Sequence, residues 1–124
     1  MPDKTKILII DDNEDIVIML EAMLKMKGYQ VAVRTNTVDL QSHLRDYKPD
    51  IVLMDMLLSG ADGREVCREL KSNKEFAGIS LIMISAHPTA REECLDAGSD
   101  FFLAKPFEMK DLYAKVAEAL KTDH

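Results

Sequence analysis

Cysteine is scarce in this chain of 124 residues, with only Cys67 and Cys94 present. Two cysteines build no disulfide framework, and neither adjoins a plausible base, so both are expected to pack on helix faces. That usage points to a reducing, cytoplasmic compartment. No apolar run approaches the roughly 20 residues that span a bilayer. The polar start, Met1 to Lys6, has no signal-peptide core, so neither a membrane span nor secretion is expected. Basic charge is in deficit as well: the formal net charge is -6, and a phosphate backbone would be repelled, which argues against direct nucleic-acid binding. Repeats, low-complexity tracts and linkers are missing too. One domain over 1–124, with a core at about 6–120, accounts for the length.

What is present is an alternation of short apolar runs and longer amphipathic ones. The short runs are Ile7 to Ile10, Val31 to Val33, Ile51 to Met54, Leu81 to Ile84 and Phe101 to Leu103. Three of them are continuously apolar and rich in Ile and Val, as strands buried on both faces are. Between them, the spacing predicts helices near 14–27, 37–46, 63–72, 89–97 and 108–121. Apolar faces carry Ile16, Val17, Met19, Leu20, Met23 and Leu24 in the first, Val38, Leu40 and Leu44 in the second, and Met109, Leu112, Val116 and Leu120 in the last. Gly28 and Gly98 are placed as C-terminal stops. Five such units, joined by right-handed crossovers, make a doubly wound α/β sandwich.

Ligands of such sheets bind beyond the carboxyl ends of the strands. There the sequence places Asp11 and Asp12 after the first strand, Asp55 after the third, Ser85 after the fourth and Lys105 after the fifth. Taken singly each has an ordinary explanation: an N-cap, a loop start, a turn serine, a solvated lysine. Together they converge on one cleft. Three carboxylates at short range repel unless a cation or proton compensates. Magnesium suits them, since it takes oxygen ligands and needs only one or two carboxylates plus a phosphate. A lysine and a hydroxyl facing the same point suit a phosphoryl group, and an aspartate can itself be the nucleophile.

These residues sit in the segments Ile9-Ile10-Asp11-Asp12-Asn13-Glu14, Asp50 to Asp55, Ile84-Ser85-Ala86, Ala97-Gly98-Ser99-Asp100 and Lys105-Pro106-Phe107. In that order the chain, from Lys6 to Leu120, resembles the receiver domain of two-component response regulators. The resemblance implies a flavodoxin-like, three-layer α/β/α fold with five helices around a five-stranded parallel sheet of order 2-1-3-4-5. It implies that Asp55 is the phosphoacceptor, and that Asp11, Asp12, Asp55 and the backbone carbonyl of Leu57 hold Mg2+. It further implies that Ser85 is the switch hydroxyl, Lys105 the lysine that pairs with the phosphoryl group, and Phe102 the switch aromatic. Phe101 is expected to point opposite to Phe102, leaving one of the pair in the core.

The implied function is a phosphorelay switch rather than an enzyme acting on other molecules. A sensor histidine kinase or phosphotransfer protein phosphorylates Asp55, and the signal emerges at the fourth helix, fifth strand and fifth helix. The output is a separate effector or a fused domain, and the chain is a monomer or weak homodimer. The alternative is a receiver-like binding module that signals without phosphorylation. A flavin-binding protein of the same fold would need a phosphate loop where Asp11 to Glu14 stand. A small aspartyl phosphatase would carry its nucleophile after the first strand.

The sequence departs from the family pattern at Ser59, where proline is frequent, although Asp62-Gly63 still supplies a turn. Leu57 and His87 flank the path of an attacking water and should tune the lifetime of the phosphorylated state, with apolar Leu57 favouring slow loss. Ser85 to Gly98 is also a little shorter than usual and holds Pro88, so the fourth helix should be short or displaced. His43 and His124 are expected at the surface.

Overall fold

The computed structural model describes residues 5–58 and 60–121; Ser59 and His124 lie outside them. Lys6–Ile10 forms β1, Gln30–Arg34 β2, Ile51–Asp55 β3, Ser80–Ser85 β6 and Phe101–Ala104 β7, and these five strands pair in parallel in the order β2-β1-β3-β6-β7. This is the expected 2-1-3-4-5 sheet. Two further numbers are taken by a small antiparallel hairpin, β4 (Leu57–Leu58) and β5 (Ala61–Asp62), directly after β3.

Alternation along the buried strands sorts the core into two layers. Ile7, Ile9, Ile51, Leu53, Ile82 and Ile84 face α1 (Glu14–Met26) and α5 (Met109–Lys121), meeting Val17, Leu20 and Leu24 from one and Leu112, Val116 and Ala119 from the other. Leu8, Ile10, Val52, Met54, Leu81 and Met83 face α2 (Leu40–Tyr47), α3 (Gly63–Ser72) and α4 (Ala90–Asp96). The result is the three-layer sandwich with five helices.

Helix ends follow local chemistry. Asn13 caps α1 by accepting from Ile16 N. At the other end Tyr29 N bonds Leu24 O and Gly28 N bonds Lys25 O, with Gly28 at φ +94°. The same pair of bonds closes α4, from Ser99 N to Cys94 O and from Gly98 N to Leu95 O, with Gly98 at φ +105°. Both are left-handed glycine stops of the Schellman type.

Several expectations change. Helix α2 begins at Leu40, not near 37, and Val38 lies outside it with 64% of its surface exposed. Side chains compete for the backbone there: Asn36 Oδ1 accepts from Val38 N at 2.9 Å, Arg34 Nη2 donates to Val38 O at 2.7 Å, and Asp39 is left-handed. On α5, Met109 and Leu120 are exposed and Ala119 occupies the core instead. Phe101 and Phe102 do point to opposite layers, but each is only partly buried. His43 is half-buried rather than fully at the surface: it stacks on Tyr47, and its Nε2 is buried. Cys67 and Cys94 are fully buried; burial pushes their thiols up, to about 12 and about 11, which leaves them unreactive. The fourth helix is short, as expected, at seven residues.

Candidate acidic site at the carboxyl edge of the sheet

The chain crosses from one side of the sheet to the other between β1 and β3, which opens a crevice at their carboxyl ends. Asp11 and Asp12 follow β1, and Asp55 is the last residue of β3. One ligand oxygen from each of these carboxylates lies within 4.8 Å of the others. Asp11 is 2% exposed; its Oδ1 accepts from Asn13 N at 2.9 Å, whereas its Oδ2 is buried with no hydrogen-bond partner. Burial, and next the charges of Asp55 and Asp12, hold the Asp11 carboxyl above the usual carboxylate range, against the opposing pull of the Asn13 amide and Lys105.

Lys105 is the cation of the site. Its Nζ donates to Asp55 Oδ1 at 3.2 Å and stands 3.9 Å from Asp11 Oδ2. The backbone aims it, because Lys105 N donates to Ser85 O at 2.9 Å and so ties the end of β7 to the end of β6. Ser85 is buried, and its Oγ accepts from His87 N at 3.0 Å, which leaves the hydroxyl proton available to a further acceptor.

The hairpin after Asp55 is held closely. Met56 N donates to Ile84 O at 2.9 Å and Gly63 N to Met56 O at 2.7 Å. A Cβ at Gly63 would lie 2.5 Å from Asp55 O and 2.8 Å from Met56 O, so no side chain fits there. Asp62 does more than turn the chain: it caps α3 by accepting from Arg64 N at 2.9 Å. Leu57 pairs with Asp62 in this hairpin and leaves 57% of its surface exposed.

The donor set is entirely oxygen, the charge is concentrated, and one buried carboxylate oxygen awaits a partner. Those properties fit a magnesium ion held by Asp11, Asp12 and Asp55. The structure therefore brings Asp11, Asp12, Asp55 and Lys105 together, with Ser85 at the margin. Phe102 lies on the α3–α4 side, partly buried against that core layer. His87 is exposed, and its ring is turned to its own loop, with Nδ1 3.0 Å from Thr89 Oγ1.

One set of residues was not legible in the sequence. Arg64 donates to both carboxylate oxygens of Asp62, through Nε at 2.9 Å and Nη2 at 2.7 Å, and through Nη1 to Glu93 on α4. Thr89 Oγ1 donates to Glu93 Oε1 at 2.6 Å. The four-residue step from Thr89 to Glu93 was the only available signal, and nothing local connects either to Arg64.

The family model of the response regulator receiver domain matches residues 7–117. Among solved structures, a protein from Chloroflexus aurantiacus J-10-fl assigned as a response regulator is similar at 27% identity and TM-score 0.91, over 97% of this chain and 100% of that one. A two-component response regulator from Clostridium difficile is 27% identical with TM-score 0.84, over 95% and 97%. The receiver domain of a sensor histidine kinase from Pseudomonas aeruginosa PAO1, whose structure has magnesium coordinated in its active-site cleft, is 28% identical with TM-score 0.87, over 97% and 100%. With its sheet order, its acidic crevice and the match across nearly its whole length, the chain belongs to the response regulator receiver domains of two-component systems.

Proposed function

We propose that this receiver accepts a phosphoryl group on Asp55 from a phosphohistidine, and that Asp11, Asp12, Asp55 and the Leu57 carbonyl hold Mg2+ while it does so. The observation that carries this reading is the convergence of three carboxylates, one with a buried unpartnered oxygen, on a lysine ammonium 3.2 Å from Asp55.

Asp55 needs no general base, because its carboxylate is the nucleophile. As its oxygen bonds to phosphorus, the phosphorus–nitrogen bond of the donor breaks and the departing imidazole takes up a proton. Magnesium, when bound, supplies positive charge at the phosphoryl oxygens and relieves the repulsion among the carboxylates. Lys105 holds Asp55 before transfer and follows the new anion afterwards. Ser85 donates its free proton to a phosphoryl oxygen. Its displacement vacates space toward which Phe102 turns, shifting an existing equilibrium at the face of α4, β7 and α5.

This chemistry is confined to the domain's own phosphorylation and its hydrolytic reset. It calls for a sensor histidine kinase or phosphotransfer protein upstream and an effector or fused output domain downstream, all in the cytoplasm. Among the described residues no helix is long and apolar enough to cross a membrane. The test is a thermal-unfolding series with Mg2+ alone and with Mg2+ plus beryllofluoride, a phosphoryl mimic. Wild type should gain stability in both steps, and Asp55→Asn should lose the second. An equal beryllofluoride response in Asp55→Asn would refute the assignment of the acceptor.

A further inference from the structure

The side chains of α3, α4 and the loop between Ser85 and α4 form one chain of contacts across the cleft. Asp62, on the hairpin after Asp55, fixes Arg64 by two hydrogen bonds. Arg64 reaches over to Glu93, Glu93 accepts from the Thr89 hydroxyl, Thr89 N donates to His87 Nδ1 at 3.3 Å with Thr89 Oγ1 alongside at 3.0 Å, and His87 N donates to Ser85 Oγ. The two margins of the acidic site, one following Asp55 and the other following Ser85, are thus joined through side-chain and loop-backbone contacts as well as through the sheet.

Three features mark this as more than a surface ion pair. Thr89 stands at the N-cap of α4, yet its side chain makes no capping bond and goes to Glu93 instead. A threonine there ordinarily satisfies an amide of the first turn. Helix α4 has only seven residues; Ala90 and Cys94 seat it in the core, and these polar contacts add a tie between its first turn, the loop before it and α3. Arg64 and Glu93 are each about two-thirds shielded, at 29% and 35% side-chain exposure.

We propose that Arg64 is a positioning residue: through Glu93 and Thr89 it latches the loop carrying His87, and so holds Ser85 in its resting place, away from a phosphoryl group on Asp55. This rests on the reading of Asp55 as the acceptor. For Ser85 to approach the phosphoryl group, it must give up the His87 amide or draw His87 along, and either movement works against Thr89, Glu93 and Arg64. The latch stabilises the unphosphorylated arrangement alone, and an interaction present in only one of two states biases the equilibrium between them.

Two variants that cut the chain at different links test it, Thr89→Val and Glu93→Ala, each titrated with beryllofluoride in the presence of Mg2+. Each should bind about two- to five-fold more tightly than wild type, the range that a partly shielded ion pair with its attached hydrogen bond supplies. Because the links act in series, the double variant should bind no more tightly than the better single one. Urea unfolding is measured alongside, since a merely structural contact would lower stability and leave the affinity where it was. Affinities equal to wild type, or weaker, overturn the latch while leaving Asp55 as acceptor. If wild type itself takes no beryllofluoride, the acceptor reading fails and the latch falls with it.

Discussion

Asp11 keeps one carboxylate oxygen on the Asn13 amide and buries the other without a hydrogen-bond partner, in a cluster with the carboxylates of Asp12 and Asp55. Without a cation, that arrangement costs stability. Because the Asp11 carboxyl is raised, the folded protein holds its proton to higher pH than the unfolded chain. Its contribution to stability is therefore present below the ordinary value of 3.8 and lost as pH rises through the raised folded value. Asp11→Asn should accordingly stabilise the metal-free protein at neutral pH by about 1 kcal/mol, with the advantage shrinking in acid and with stabilisation by Mg2+ sharply reduced. Urea titrations at several pH values, with and without Mg2+, measure this. Leu57 presents an exposed apolar side chain two residues past Asp55, and in the proposed cycle it would flank the water that attacks the acyl phosphate. Leu57→Asn, able to orient that water, should shorten the half-life of the phosphorylated protein by about ten-fold; an unchanged decay rate would remove Leu57 from the tuning role. The residues legible in advance were those at strand ends, because strand ends can be read from hydrophobic runs. The Arg64–Glu93 pair could not be read, since it joins two helices distant in sequence.

Elements were legible where local chemistry and tertiary packing agree. Helix α1 combines an Asn13 cap, an apolar face and a Gly28 stop, and it runs as the pattern indicates. Helix α2 starts late because side chains of Arg34 and Asn36 take the backbone groups of Val38 for themselves. Helix α3 starts at the Asp62 cap, as the pattern indicates, but its first residue must be glycine for a steric reason invisible in sequence: Gly63 lies against the carbonyls of Asp55 and Met56. Gly63→Ala should therefore destabilise by about 2–3 kcal/mol, although alanine is the better helix former. It should also slow phosphorylation, since relief requires the Asp55–Met56 backbone to shift. Chemical denaturation and a phosphorylation time course would check both effects. A neutral substitution would contradict the described packing.

At the scale of the molecule, the buried strands and their two core layers follow from the Ile- and Val-rich runs, the strand order follows from the family resemblance, and the site follows from that order. The end of the sheet opposite the acidic crevice is fastened differently. Lys71 Nζ donates to Asp100 Oδ2 at 2.8 Å and to the carbonyls of Ala77 and Ile79, while Asp100 also accepts from Leu81 N. One mostly buried pair thus joins α3, the entry to β6 and the entry to β7. Lys71→Met should cost about 2–3 kcal/mol, because it leaves a shielded carboxylate and two carbonyls without their donor. It should leave phosphorylation intact, as both ends of the pair are remote from Asp55.

The central claim, that Asp55 is a phosphoacceptor, meets its most direct test in intact-mass spectrometry after incubation with Mg2+ and acetyl phosphate. Wild type should gain a single phosphoryl group that hydroxylamine removes, as befits an acyl phosphate, and Asp55→Asn should gain none. A wild-type mass that stays unchanged, or a phosphoryl group that survives hydroxylamine or appears equally on Asp55→Asn, would contradict it.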